Sequence, residues 1–207
     1  MRQTDEASST RERILETALR LFSKEGFLGA TTREIAREAG IAEVTLFRHF
    51  SSKERLFEEV VNTFSFLPAL KGLLPEVKEL PYQEALGVIA KRFLETLTLR
   101  KDLITIMQRE MQRYPEKVRE VYHAFIDEIF KIIASYFSEM QRKGQLRDFD
   151  ASFAARAFLG MFFAYFNAEE LLQWKLYRHS DADATIREYV DIFARGTLKE
   201  ACDERRS

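Results

Sequence analysis

The sequence predicts an all-α fold, with an N-terminal three-helix head of helix-turn-helix type on a larger helical body. Three observations carry this. Only eight Gly and four Pro occur in 207 residues. Apolar residues recur at spacings of three and four along almost the whole chain, and strand-like alternation is hard to find. Helix-start patterns of the Ser/Thr-x-x-Glu type also precede several of the apolar stripes.

The elements follow in order. Ser9 with Glu12 predicts the start of a first helix, whose buried face is Ile14, Ala18, Leu21 and Phe22 and whose stop is Gly26. "FLGA" then connects to a second helix, opened by Thr31 with Glu34, faced by Ile35, Ala36 and Ala39, and ended at Gly40. A turn anchored by Ile41 leads to a third helix over about residues 42–50, with Leu46 and Phe50 inward. Ser51 with Glu54 predicts the fourth start, followed by Leu56, Val60 and Phe64. "PALKGLLPEVKELP" (68–81) holds three of the four prolines and reads as a seam between lobes. Long helices are expected over 82–99, 101–113, 116–143, 151–172 and about 183–199, with Asp150 as a cap. The domain reading is therefore 1–52 for the head and 53–207 for the body, with helix 53–66 as the connection.

Charge narrows the function classes. The formal net charge is −1, so no global field draws the chain to nucleic acid or to an acidic membrane, and any DNA contact must come from a local arrangement. A lone cysteine, Cys202, excludes an internal disulfide and fits a reducing compartment. The N-terminus has no signal-peptide core. The apolar run "AFLGMFFAYFNA" (157–168) is far short of the roughly 20 residues that span a bilayer. A cytoplasmic protein with no membrane partner is expected.

Residues 31–57 spend two short helices and a tight turn where longer helices would fit. A recognition helix needs only two or three turns to cross a major groove about 12 Å wide, and in a helix-turn-helix the second short helix enters that groove. Thr31 and Thr32 sit at a helix N-terminus, where free amides favour phosphate. Arg33, Arg37 and Arg48 are the candidate cations.

"ATTREIAREAGIAEVTLFRHFSSKERLF" resembles the signature of TetR-family (tetracycline-repressor-like) transcriptional regulators, over about residues 10 to 60. Gly40, Ile41, Ala42, Thr45, Leu46, Phe47, His49, Phe50 and Lys53 stand at the places of the family pattern. The resemblance implies that Thr45, Phe47, His49 and Lys53 touch the DNA backbone. Two departures stand out. Phe47 replaces the common Tyr, so a hydroxyl donor is missing, although its ring can press on sugar or a thymine methyl. Glu43 and Val44 occupy a place where a basic or small pair is frequent. Glu43 either meets a cytosine amino group or is a first-turn acid that favours the helix dipole.

Two heads on a two-fold axis multiply specificity, so a homodimer on a palindromic operator in double-stranded DNA is expected. Ala157, Gly160, Ala164 and Ala168 form a small-residue stripe that lets another helix approach, flanked by Met161 and Phe162. Ile186, Val190 and Phe193 mark the last helix as its partner in the dimer interface that the resemblance implies, with tight packing within one chain as the alternative. The resemblance further implies a small molecule in the body. Of the 18 Phe, 13 lie beyond residue 62. Phe93, Met107, Met111, Tyr122, Phe125, Phe162, Tyr165, Phe166 and Trp174 are candidates for the wall of a pocket for a small hydrophobic or aromatic ligand, and plain core is the alternative for each.

No cofactor and no metal is expected. His49, His123 and His179 are scattered, and His123 with Asp127 lacks a further ligand one turn away. "RHSDAD" (178–183) reads as a capping loop, and an enzyme lacks its nucleophile–base pair. A helical protein- or lipid-binding adaptor without DNA function remains the alternative. It would not explain three capped helices carrying Thr45, His49 and Lys53 together.

Overall fold

The computed structural model describes the backbone of residues 2–174 and 181–199, with side chains from Ser9 onward. Cys202, His179 and the first part of "RHSDAD" lie outside the described residues. Ten α-helices are described: α1 (Arg2–Gly29), α2 (Thr32–Glu38), α3 (Glu43–His49), α4 (Lys53–Phe64), α5 (Phe66–Val77), α6 (Tyr82–Leu99), α7 (Lys101–Glu110), α8 (Glu116–Arg142), α9 (Ala151–Phe166) and α10 (Ala182–Thr197). A 3₁₀ turn (Met111–Arg113) follows α7, and a π turn (Asn167–Leu171) follows α9. The single extended pairing among these residues is the bridge between Leu146 and Leu198. No described helix is long and apolar enough to cross a membrane.

Four local expectations differ from the structure. α1 runs through Ser9 instead of starting there. α4 is capped by Ser52, whose hydroxyl accepts the Arg55 N–H at 3.2 Å, and not by Ser51. The proline-rich seam is largely the helix α5. Its start tolerates Pro68, because first-turn N–H groups need no intrahelical acceptor, and Pro75 forfeits one bond near the end. The α-helix expected to reach residue 172 ends at Phe166, and the π turn completes that stretch.

The chain packs as two compact units. The first joins Met1–Pro68 with Leu99–Ile126; the second joins Ala69–Thr98 with Asp127–Ser207. In the first, the head expected as residues 1–52 shares one hydrophobic cluster with α4, α7 and the start of α8. Ile14, Leu21, Phe22, Ile35, Leu46, Phe57 and Val60 are buried in it alongside Leu103, Met107, Tyr114 and Val118. Phe22, Phe27, Phe57 and Tyr114 form its aromatic centre, with Phe27 edge-on to Phe57 at 5.3 Å and to Tyr114 at 5.8 Å. Gly26 makes this possible. Its backbone (φ 74, ψ 173) breaks α1 and turns Phe27 inward, in a conformation open essentially to glycine alone.

In the second unit Tyr82, Tyr136, Phe137, Phe158, Phe162, Val190 and Phe193 are buried. Phe193 packs 5.1 Å from Phe158 and 5.6 Å from Phe137. The Thr197 hydroxyl donates to the Phe193 carbonyl at 2.8 Å, so Tyr82, 2.9 Å away, is the donor in its bond to Thr197. Burial pushes the Tyr82 phenol well above its usual range.

Candidate nucleic-acid interface

Three local devices hold α2 and α3 in place. The Thr31 hydroxyl accepts the Glu34 N–H at 3.1 Å and caps α2. At the other end Gly40 (φ 69) lets the Ile41 N–H reach the Ala36 carbonyl and its own N–H reach that of Arg37, closing a Schellman turn. Ala42 stands at the N-cap of α3 and offers no side-chain bond there. It is pinned from below by Leu46 and Phe50, which are 0% and 3% exposed. The Arg11 guanidinium lies 5.3 Å from the centre of the Phe50 ring.

That anchoring leaves the opposite face of α3 in solvent. Val44 is 62% exposed and Phe47 44%, and Arg48 lies beside them. Spacings of three and four residues put the three on one stripe. Thr45 and His49 flank it, half-buried.

Glu43, at the start of α3, accepts a hydrogen bond from the Thr32 hydroxyl at 2.7 Å. Thr32 is the first residue of α2, so the bond ties the two helix starts together and engages the hydroxyl.

The cations of the head divide into two groups. Arg11 pairs with Glu59, Arg20 with Glu38, Arg37 with Glu34 and Glu38, and Arg55 with Glu58 and Glu59. Arg13 donates to the Ala39 carbonyl at 2.8 Å. Arg33 and Arg48 are exposed and form no salt bridge among the described residues. Lys53 is half-buried, its ammonium 4.5 Å from the centre of the Phe27 ring, and loss of hydration pulls its pKa below the usual lysine range.

The structure thus gathers Thr31, Thr32, Arg33, Glu43, Val44, Thr45, Phe47, Arg48, His49 and Lys53 onto α2, α3 and the start of α4. Reading the sequence missed the Thr32–Glu43 bond, which spans eleven residues and leaves no spacing signal. It also missed Phe27 as the seat of Lys53.

The other two sets are dispersed. Of the ligand-wall candidates, Met107 belongs to the hydrophobic cluster of the first unit, and Met111, Tyr122 and Phe125 pack against it. Phe93, Phe162 and Phe166 are buried in the second unit, Tyr165 is half-buried, and Trp174 is 48% exposed. Of the interface candidates, Ala157, Gly160 and Ala164 are exposed on α9, with Met161 and Ala168 half-buried. Ile186, Val190 and Phe193 are instead buried within the chain itself. Exposed Phe153 (71%) extends the α9 stripe by one turn, and Ile192 (63%) is a large exposed apolar residue of α10. Phe153 was legible four residues before Ala157.

Two short helices, α2 and α3, joined by a tight turn at Gly40, with the outer face of the second left in solvent, make a helix-turn-helix protein. Residues 14–60 match the model of the bacterial regulatory proteins of the tetR family, and residues 84–196 that of the C-terminal domain of AefR-like transcriptional repressors. The chain belongs to the TetR family of transcriptional regulators. It is 31% identical over 157 residues to the HTH-type transcriptional regulator YvkB of Bacillus subtilis, covering 76% of this chain and 81% of that one. It is 32% identical over 109 residues to the transcriptional repressor KstR2 of Mycolicibacterium smegmatis, about half of each chain (51% and 52%). The fold is similar to that of FadR from Bacillus subtilis in complex with stearoyl-CoA, with a TM-score of 0.74 at 16% identity over 89% of this chain and 98% of the other. It is also similar to NalD, the secondary repressor of the MexAB-OprM multidrug efflux pump in Pseudomonas aeruginosa, with a TM-score of 0.68 at 22% identity over 95% and 100%.

Proposed function

We propose that this protein is a homodimeric repressor that binds a palindromic operator through α3 and leaves it when a lipophilic ligand binds. The observation that carries the DNA reading is the outer face of α3. Val44, Phe47 and Arg48 are exposed together, while most other cations of the head are spent on internal pairs. A surface built only for solubility would not pair its arginines and leave a valine and a phenylalanine beside a free one. Thr45, His49 and Lys53 flank that face and contact phosphates, and Arg33 adds a further cation.

Dimerisation uses α9. Phe153, Ala157, Gly160 and Ala164 leave a stripe that a second copy can approach closely, and a side-chain carbon added at Gly160 would meet nothing within 4 Å. Two recognition helices then meet successive major grooves about 34 Å apart. The ligand reading rests on the aromatic content beyond residue 62 and on FadR, which holds stearoyl-CoA. A ligand that binds better when the heads sit at another spacing lowers DNA affinity by that difference.

A salt titration of affinity for duplex DNA tests this. The expected outcome is a steep linear fall of log affinity with log salt, whose slope decreases by about one when Arg33 is replaced by Ala. A salt-independent affinity, or a slope untouched by Arg33→Ala and Lys53→Ala together, would contradict the docking.

A further inference from the structure

The chemistry of the α3 outer face restricts the base sequence it can read. We infer that Val44, Phe47 and Arg48 read a half-site in which thymine 5-methyl groups lie within about two base pairs of a guanine, and that Glu43 reads no base. The inference rests on the DNA-binding role proposed above.

Val44 and Phe47 carry neither donor nor acceptor, so they gain nothing from the polar edges of the groove. The thymine methyl is the one apolar group a base pair presents there. At 62% and 44% exposure both side chains have surface left to bury against it. Arg48 carries donors only, and guanine offers two adjacent acceptors, O6 and N7, that match its fork. No carboxylate holds Arg48 among the described residues, so it reaches a base without breaking an ion pair. Glu43 would be the reader of a cytosine amino group, but the Thr32 hydroxyl holds one of its carboxylate oxygens at 2.7 Å and tethers the side chain to the start of α2.

The register follows from helix geometry. Val44 and Arg48 are four residues apart, an advance of about 6 Å along α3, against about 3.4 Å per base pair, hence roughly two steps.

The test uses the full-length protein and the duplex it retains best from a random pool. Each half-site thymine is replaced in turn by deoxyuridine, which removes only the methyl and leaves the protein untouched. The expected result is a loss of about fourfold in affinity for each methyl that is read. Val44→Ala should abolish that sensitivity at one position and Phe47→Ala at another. Arg48→Ala should remove the preference for guanine, and Glu43→Gln should leave every base preference in place. Both apolar side chains are on the surface, so unchanged thermal unfolding of the variants verifies that they fold. An enriched duplex that tolerates every uridine, or that lacks guanine near its thymines, overturns this inference alone. The absence of any enriched duplex overturns the DNA-binding reading and this inference with it.

Discussion

The Thr32 hydroxyl donates to a carboxylate oxygen of Glu43 at 2.7 Å, joining the first residue of α2 to the first residue of α3. The bond ties the two short helices together at the surface proposed to meet DNA. A partly exposed bond to a charged acceptor contributes about 1 kcal/mol. Thr32→Val and Glu43→Ala should each cost about that much in denaturant unfolding, and the double variant should cost little more than either alone. Fully additive losses would show that the two side chains do not act together.

The kink at Gly26 strains any other residue. An added carbon there would lie 2.1 Å from Glu110 Oε2, and the φ of 74 with ψ 173 is itself open essentially to glycine alone. Gly26→Ala should destabilise the protein by about 1–3 kcal/mol, most of it backbone strain, because the clashing carboxylate ends a flexible side chain. Glu110 Oε2 is buried without a partner, but the side chain also bonds the Tyr114 hydroxyl, so removing it relieves the clash and gives up that bond. Gly26→Ala/Glu110→Ala should therefore recover part of the loss and retain the backbone share. A double variant no more stable than Gly26→Ala would place the whole cost in the backbone.

Buried phenols make the protein sensitive to alkali. Burial pushes the hydroxyls of Tyr114 and Tyr136 up to about 12, and that of Tyr82 higher still. A phenol whose pKa is raised on folding keeps its proton in the folded state after the unfolded chain has lost it. Its contribution is therefore complete below about pH 10 and is lost as pH rises through the folded value. Stability should hold to about pH 10 and fall steeply above it. Phenolate absorbance from these three and from Tyr122, which burial also raises, should appear only as the protein unfolds. Ionisation of these buried phenols near pH 10 with the fold intact would contradict their burial.

The exposed stripe of α9 gives a direct test of assembly. Ala157→Arg with Ala164→Arg puts two charges on a face that is already in solvent, so the monomer keeps its fold. Sedimentation should show the wild-type chain as a dimer and the double variant as a monomer that has lost affinity for a palindrome but not for a single half-site. A dimer that survives both arginines would move the interface elsewhere.

How much of this was legible in the sequence depended on range. Signals confined to one turn carried through: Thr31 caps α2, Gly40 ends it, and Leu46 and Phe50 face inward. Even there the choice between Ser51 and Ser52 needed backbone geometry, because adjacent serines offer the same chemistry. Long-range packing left no mark. The spacing of Ile186, Val190 and Phe193 reveals an apolar face but not what covers it, and their own chain covers them. The prolines of 68–81 suggested a break, yet Pro68 falls in the first turn of α5, where it costs nothing, and the helix runs on through Pro75 at the loss of one bond. Lys53 over Phe27 joins residues whose meeting depends on the kink at Gly26.

Selection from random duplex DNA with the purified protein at low salt, followed by sequencing of the retained molecules, tests the central claim most directly. The account predicts one enriched inverted repeat, its half-sites centred about 34 Å apart or a multiple of that. A pool that emerges as random as it entered would contradict it.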